Sequence, residues 1–507
     1  MRLLSVSLGN HDSNFCYYDG SKVHYLKSER VMDFKHHTVR SMDQVTRILK
    51  LTWGIDLYSI DQICLCSQID STIITGHSDS HSIPHHQAHA LSMMPFVSRA
   101  DVSVIIDGQG GSKTWVVYRD GQIVDEGIVA QHGSIGHGLM WMSEPLGIKG
   151  LKLDAVGKLM GLQSYGTIDD AYLKELQQYD EKSAGAYHYK TGANSPPILM
   201  PGDTLFSLDK YKRFKGTDQV NLLDWAKTVH HRCGEIVMGL FKKHVCPDEV
   251  VCYSGGVAQN VLWNTDLKKH FRNLEILPHC GDEGLSIGGM EYLRTLNNLP
   301  KFDYGDFPFI QSDQCQQEPS ASTIKAAAEF LAQGKIVAWY QGNGEVGPRA
   351  LGNRSILLDP RIPNGKDIIN TVKNREHYRP FGASVLSEFK KEYFDLDFEN
   401  PYMLYVGKCQ KENLKSITHV DGTCRVQTVN TGVFRQLLQE FHAITGCPVL
   451  LNTSLNNAGK PIASTVASAM LEFNNGLIDV FIHGDKIYEK NGVGVDAEPG
   501  SMYRPTH

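Results

Sequence analysis

Two histidines one helical turn apart open the chemical reading. In Pro84-His85-His86-Gln87-Ala88-His89-Ala90, His85 and His89 are spaced to share one face of a helix, as two ligands of one metal ion would. With 22 histidines in 507 residues, about one such pair arises by chance, so the pair needs partners. Two aspartates are candidates. Asp107 closes the apolar run VSVIID just before a glycine-rich stretch, and Asp282 stands in Gly281-Asp282-Glu283-Gly284 at the mouth of an expected helix. Two imidazoles with two carboxylates form a mixed nitrogen–oxygen donor set, suited first to Fe(II) and otherwise to Mn or Zn. His11, in the loop GNHDSN, carries a side chain whose ordinary pKa suits proton transfer at neutral pH. It reads equally well as a turn residue bonded to its own loop.

A second group is cationic. GNGEVGPRALGNRSILLDPR carries Arg349, Arg354 and Arg361, and TVKNREHYRPFGASV carries Lys373, Arg375 and Arg379. HVDGTCRVQTV adds Arg425, and LLNTSLNNAGKPI adds Ser454, Asn456 and Lys460. These cations are interleaved with Gly, Pro and Phe rather than with Glu at helical spacing, which reads as anion recognition instead of a solvated face. Arginine offers bidentate forks to phosphate. The whole chain is mildly acidic, with a net charge of −6, so bulk charge does not recruit nucleic acid. A local basic run, Lys210-Tyr211-Lys212-Arg213-Phe214-Lys215, could still contact phosphates, although a solvated loop is the simpler expectation.

The elements that must position these residues echo one another. From Leu3 to Tyr25 a strand, the loop GNHDSN, a second strand, an Asp19-Gly20 turn and a third strand follow in order. From Val102 the order repeats: VSVIID, the loop GQGGSKT, WVVY, a turn at Asp120-Gly121, and QIVDEGIVA. Small residues in such loops leave backbone N–H groups free for an anion, which makes Gly110 a candidate contact. Two strand–loop–helix units come next. EVVCYSGGVAQNVLWNTDLKK turns at Gly255-Gly256 and is expected to begin a helix near Ala258, with Asn260 in its first turn. NLEILPHCGDEGLSIGGMEYLRTL places Gly288-Gly289 early in a helix, where a phosphate could approach its N-terminus. The stretch from Tyr165 to Val220, with Ser195-Pro196-Pro197, is irregular and reads as surface elaboration. Periodicity lapses between Leu299 and Ser322, and a new α/β pattern starts at TIKAAAEFLAQGK. The expected architecture is α/β with two domains, 1–310 and 318–507, in keeping with the length. Eleven cysteines without a CxxC pair, and no long apolar run, point to a cytoplasmic chain with no signal peptide, disulfide framework or membrane span.

In this order the segments GNHDSN, PHHQAHA, DGQGG, GKLMGLQSYG, SGGVAQN, GDEGLSIGG, GEVGPRALGNRSILLDPR, KNREHYRPFGASVL, HVDGTCRVQTV and LLNTSLN resemble the nodulation-type and antibiotic-type O-carbamoyltransferase family. The resemblance runs from residue 1 to about Ile462. It implies a duplicated actin/Hsp70-like (RNase H-like) ATPase-fold domain followed by a YrdC-like domain of the threonylcarbamoyl-AMP synthase kind. The second domain would make carbamoyl-adenylate from carbamoyl phosphate and ATP, with Mg accompanying the nucleotide. The first would move the carbamoyl group onto an acceptor hydroxyl. By the same resemblance Lys373, Arg375, Ser454 and Asn456 match a KxR…SxN pattern that holds substrates, and Arg379 and Arg425 fall on further anion positions. Arg349 and Arg354 belong to the same arginine-rich block. The metal ligands map to His85, His89, Asp107 and Asp282, and the catalytic histidine to His11. GLQSYG stands where the family has GLAPYG, and the stretch from Tyr165 to Val220 has no obvious counterpart, so acceptor specificity does not transfer. The acceptor that the resemblance implies is a small-molecule hydroxyl or, as in viral members, a hydroxymethylated base in DNA. Two rivals are a metabolite kinase, which leaves the C-terminal blocks unexplained, and a carbamoyl-delivering maturation scaffold, whose expected CxxC pairs are absent.

Overall fold

Leu3–Ser7 (β1) is buried at every position, as a central strand covered on both faces must be. It pairs antiparallel with Asn14–Tyr18 (β2), which pairs antiparallel with Val23–Lys27 (β3). On its other side Gln62–Cys66 (β4) and Ser80–Ile83 (β5) follow in parallel, giving the order β3-β2-β1-β4-β5. The second sheet repeats this. Val102–Gly110 (β6), Lys113–Arg119 (β7) and Gln122–Ile128 (β8) form the antiparallel part, and Val251–Ser254 (β9) and Leu274–Glu275 (β10) add in parallel. The order β8-β7-β6-β9-β10 matches the first sheet strand for strand and direction for direction. The duplication is the one that the echo anticipated, and the strand order is that of the actin/Hsp70-like fold that the resemblance implies.

The structure is a computed structural model, and it describes residues 1–9, 11–66, 79–128, 134–180, 187–188, 198–199, 204–217, 219–311 and 318–490. Asn10 of the first loop, Val129-Ala130 at the end of the second echo, Ser195-Pro196-Pro197 and residues 312–317 of the expected boundary lie outside the described residues. Among the described residues no helix is long and apolar enough to cross a membrane.

Three local expectations change. GQGGSKT is not a loop: β6 runs on to Gly110 through a register shift after Ile106, and the chain reverses at Gly111, whose φ is +67°. A bulge re-aims side chains, and Asp107 sits in it. The helix expected near Ala258 begins at Val261 (Val261–His270) after a 3₁₀ turn, with the Asn260 side chain capping it. The third change concerns Gly288 and Gly289 in the helix Leu285–Leu296. A Cβ on Gly288 would lie 1.9 Å from Ala88 O, and one on Gly289 would lie 2.2 Å from Cys66 Sγ and Ser5 Oγ. These glycines admit the histidine-bearing helix His85–Met93 and the first sheet, not a phosphate.

The basic run is also not a loop. It forms the helix Leu208–Lys215, in which buried Lys210 donates to Tyr179 Oη at 2.9 Å and Lys215 pairs with Asp169. Two of its cations dock the helix onto its own half.

The C-terminal part is one mixed sheet of eight strands: Val337–Tyr340 (β11), Arg354–Leu358 (β12), Gly382–Leu386 (β13), Tyr405–Lys408 (β14), Thr423–Val429 (β15), Val449–Ser454 (β16), Val480–His483 (β17) and Lys486–Glu489 (β18), in the order β14-β15-β13-β16-β12-β11-β17-β18. Its core gathers Trp339, Phe381, Phe434 and Phe441 beneath the helices Ala321–Ala332 and Gly432–Thr445. The two halves meet through specific polar contacts. Val406 N–H donates to Thr265 Oγ1 at 2.9 Å, and Lys158 Nζ donates to Glu376 Oε1 at 2.6 Å.

Candidate active site

The helix His85–Met93 presents His85 and His89 to the bulge of β6 and to the turn Asp282–Gly284. One ligand atom from each of His85, His89, Asp107 and Asp282 lies within 4.8 Å of the others. His85 Nε2 is 2.7 Å from Asp107 Oδ2 and 3.6 Å from Asp282 Oδ1, while His89 Nε2 is 3.4 Å from both carboxylates. The two Nε2 atoms are 3.2 Å apart. Two metal–nitrogen bonds of about 2.1 Å at tetrahedral or octahedral angles place the nitrogens about 3.0–3.4 Å apart. The donor set therefore fits one divalent cation.

Surrounding contacts aim these ligands. Ser254 Oγ donates to Cys280 O at 3.1 Å, so at 3.3 Å it accepts from His89 Nδ1, which turns Nε2 toward the carboxylates. Asp107 Oδ1 accepts from the N–H groups of Gly108 at 2.7 Å and Gly256 at 3.1 Å, leaving Oδ2 for the cluster. Burial alone would lower the His89 pKa, but Asp107 and Asp282 outweigh it and raise it to about 9. His86 lies outside this charge pattern. Burial, reinforced by His85, takes its pKa down to about 3.

His11 stands at the edge of the cluster. Its Nδ1 is 3.0 Å from Asp12 Oδ2 and 3.6 Å from Asp282 Oδ2. Burial opposes protonation, but Asp282 and Asp12 win and lift its pKa to about 10. These carboxylates hold it protonated for as long as no cation engages them. Asp12 Oδ2 also accepts from His36 Nδ1 at 2.9 Å, and His36 Nε2 reaches Asp154 Oδ1 at 3.3 Å. Asp12, Glu29 and His36 form a second convergence of possible ligands, but it already contains a cation. Lys27 Nζ lies 3.0 Å from Glu29 Oε1 and 3.9 Å from Asp12 Oδ1.

The cationic cluster is built differently. Lys373, at the end of the helix Gly365–Val372, directs its ammonium to Ser454 O, to Asn456 O at 2.7 Å and to Asn456 Oδ1 at 2.8 Å. Arg375 donates from Nε to Asn370 Oδ1 at 2.6 Å and lies 4.1 Å over the Phe381 ring. Arg349 and Arg425 have Nε atoms without a hydrogen-bond partner among the described residues. No carboxylate pairs with Arg349, Lys373, Arg375 or Arg425 among the described residues; Arg379 alone lies 3.8 Å from Glu376. Burial first, and then mutual repulsion, depresses the pKa of Lys373, Arg375 and Arg425 well below their usual range. Like charges crowded without a counter-ion describe a site shaped for an anion.

Residues 72–290 match the family described as Carbamoyltransferase N-terminus, and residues 328–490 match Carbamoyltransferase C-terminus, together well over half of the chain. The chain belongs to the carbamoyltransferase family. It is 31% identical over 445 residues to the nodulation protein NolNO of Sinorhizobium fredii, covering 80% of this chain and 64% of that one. It is 34% identical over 352 residues to the 3'-hydroxymethylcephem-O-carbamoyltransferase of Amycolatopsis lactamdurans, covering 67% and 66%. It thus spans just under two thirds of the length of these two relatives. Among solved structures, the 2-hydroxyisocaproyl-CoA dehydratase activator from Clostridium difficile aligns with 59% of this chain and 98% of its own at 12% identity and a TM-score of 0.37.

In this member of the carbamoyltransferase family, several residues expected in the site do other work. Arg354 is fully buried, stacks 3.6 Å over the Tyr340 ring and donates to Gln341 O and to Gly342 O at 2.9 Å. Its guanidinium is used to shape the preceding loop. Arg361 pairs with Asp359 at 2.7 Å. A Cβ on Gly110 would lie 2.4 Å from the His86 ring, and one on Gly255 would lie 2.2 Å from Ile106 O, so both glycines permit close packing behind the histidine–aspartate cluster. Asn260 caps a helix and donates to His230 Nε2 at 2.9 Å. Other residues were not anticipated. Glu345 accepts from the N–H groups of Leu351, Asn353 and Arg354 at 2.8, 3.0 and 3.1 Å, folding the loop that presents Arg349. Asp12 and Lys27 order the first hairpin. Asp12 follows His11 directly, a signal that the sequence carried; nothing local marked Glu345 or Lys27.

Proposed function

We propose that the chain is an O-carbamoyltransferase that uses ATP and carbamoyl phosphate, with residues 318–507 forming carbamoyl-adenylate and residues 1–310 using it. The observation that carries this reading is one cavity of 1380 Å³ lined by His11, Asp107 and Asp282 on one side and by Arg349, Lys373 and Arg425 on the other. A kinase of the same fold needs no second, arginine-lined chamber open to its metal centre. In the first step carbamoyl phosphate and water give carbamate and phosphate, and the carbamate oxygen attacks the ATP α-phosphorus and releases pyrophosphate. In the second, the acceptor hydroxyl attacks the carbamoyl carbon, the C–O bond to phosphate breaks, and AMP leaves.

Lys373, Arg375, Arg379 and Arg425 would bind the phosphates of both donors, with Arg349, Ser454 and Asn456 beside them. Asp12 fixes the tautomer of His11, whose Nε2 would take the hydroxyl proton. His85, His89, Asp107 and Asp282 would hold the divalent cation, Fe(II) first and Mn or Zn next, while Mg accompanies ATP. Bound there, the cation would supply Lewis acidity toward a phosphoryl or carbonyl oxygen. The shared cavity would keep the labile anhydride from bulk water. A small-molecule hydroxyl is the proposed acceptor, because the helix that would have favoured DNA uses Lys210 and Lys215 internally.

The test is incubation with ATP and carbamoyl phosphate. Pyrophosphate and AMP are expected; ADP would support the kinase, and no nucleotide turnover under any divalent metal would defeat the assignment. A salt-sensitive shift of DNA by the protein would overturn the choice of acceptor.

A further inference from the structure

Two imidazoles meet on one carboxylate oxygen in the first hairpin. Asp12 Oδ2 accepts from His11 Nδ1 at 3.0 Å and from His36 Nδ1 at 2.9 Å, and the two rings stand nearly perpendicular, at 86°. Asp12 and His36 both hold left-handed backbone conformations, with φ of +54° and +56°, which residues other than glycine adopt at a cost. The His36 N–H donates to Glu29 Oε2 at 3.1 Å, which fixes that turn.

His36 is held at its far end as well. Its Nε2 donates to Asp154 Oδ1 at 3.3 Å, and Lys35 pairs with the same carboxylate. Asp154 belongs to the other half of the duplicated fold. It lies in the helix Lys152–Leu162, which follows β6, β7 and β8. One turn further on, that helix carries Lys158, which holds Glu376 of the C-terminal part. Carboxylates at both ring nitrogens make both of them donors, so the His36 ring is an imidazolium. Burial opposes the charge, but Asp12 and Asp154 raise its pKa to about 9. The side chain is 20% exposed and lines the shared cavity together with His11.

A base that takes a proton along a fixed direction needs its orienting carboxylate fixed in turn. Asp12 stands in a hairpin turn, and its Oδ1 is 3.9 Å from Lys27, beyond hydrogen-bond reach. Among the described residues the second hydrogen bond to Oδ2 comes from His36. Ties at both nitrogens brace the His11–Asp12 pair against a helix of the opposite half.

We propose that His36 is a positioning residue for carbamoyl transfer, holding the Asp12 carboxylate, and through it His11, in register with the second half of the duplicated fold by way of Asp154. The inference rests on the function proposed above and concerns the transfer step, not adenylate formation.

Both half-reactions are read in the metal-loaded full chain: pyrophosphate released from ATP and carbamoyl phosphate, and carbamate ester formed on methanol, the simplest acceptor hydroxyl. His36→Phe should keep pyrophosphate release within about two-fold of wild type and lower kcat for transfer about 30-fold, with KM for methanol unchanged. His36→Asn tolerates the left-handed backbone and keeps a donor for Asp12 without reaching Asp154, so it should lose only about five-fold. It also covers a Phe variant that folds poorly. Asp154→Ala should match His36→Asn in the wild-type background and add nothing to His36→Phe. The His11 Nδ1 proton gives a signature that needs no acceptor. In the zinc-loaded chain with isotopically labelled histidine it should appear as one deshielded, slowly exchanging resonance, missing in His11→Gln and broadened away in His36→Phe. Where methanol is not carbamoylated, this resonance decides alone. A wild type that lacks it, His36 variants in which resonance and transfer are unchanged, additive losses in the double variant, or equal loss of both half-reactions overturns the assignment. A wild type that releases no pyrophosphate defeats the underlying function instead.

Discussion

The two clusters of this molecule are incomplete in opposite senses. The histidine–aspartate cluster gathers two carboxylates whose charge is answered, among the described residues, by neighbouring imidazoles and main-chain N–H groups and not by a lysine or arginine, so His89 and His11 are raised to about 9 and about 10. The arginine–lysine cluster gathers buried cations with no carboxylate beside most of them, so Lys373 and Arg425 are driven the other way. One site is shaped for a cation and the other for an anion. The difference teaches that burial is not the deciding variable, since both are buried. What decides is whether the protein supplies the counter-charge or leaves it to a ligand.

The comparison breaks or sharpens under substitution, most strongly at the histidine–aspartate cluster. Asp107→Asn should empty the site of metal, lower transfer by about 10²–10³-fold and leave pyrophosphate release nearly intact. It should also lower the melting temperature of the metal-free protein, because protonated His89 loses a buried partner. Metal analysis, the two half-reactions and a thermal scan check this. Arg425→Met should lower pyrophosphate release by about 10²-fold but raise the melting temperature, since it removes one of several crowded like charges. Melting shifts of the same sign in the two variants would sink the distinction between the sites.

A smaller effect concerns pH. In the metal-free protein His89 has a folded pKa of about 9, above its ordinary value. Its protonated pairing therefore stabilises the fold fully below about pH 6.5 and is lost as pH rises through about 9. Metal ligation requires the neutral ring, so metal uptake near neutral pH should release protons, and affinity should fall as the solution is acidified. Calorimetry in buffers of different ionisation enthalpy reads the proton count, and zero release would contradict the raised His89.

Much of this was legible beforehand, and the reason is locality. The duplicated sheet was visible because alternating apolar runs and Asp-Gly turns are set by neighbours a few residues away. The pair His85 and His89 was visible because helical spacing alone places both on one face. The partners Asp107 and Asp282 could be proposed from loop context, and the fold brings both of them to the histidines. Only the tertiary structure decided which cations face the cavity. Arg349 and Arg354 are five residues apart in one glycine-rich block, yet one lines the cavity and the other turns under Tyr340 to bind carbonyls. That choice depends on Glu345 and on the antiparallel pairing of β11 with β12, contacts that no local pattern encodes. Likewise the glycines at 110, 255 and 288 signal close approach in sequence, but whether a ligand or another backbone approaches is settled by packing across long separations.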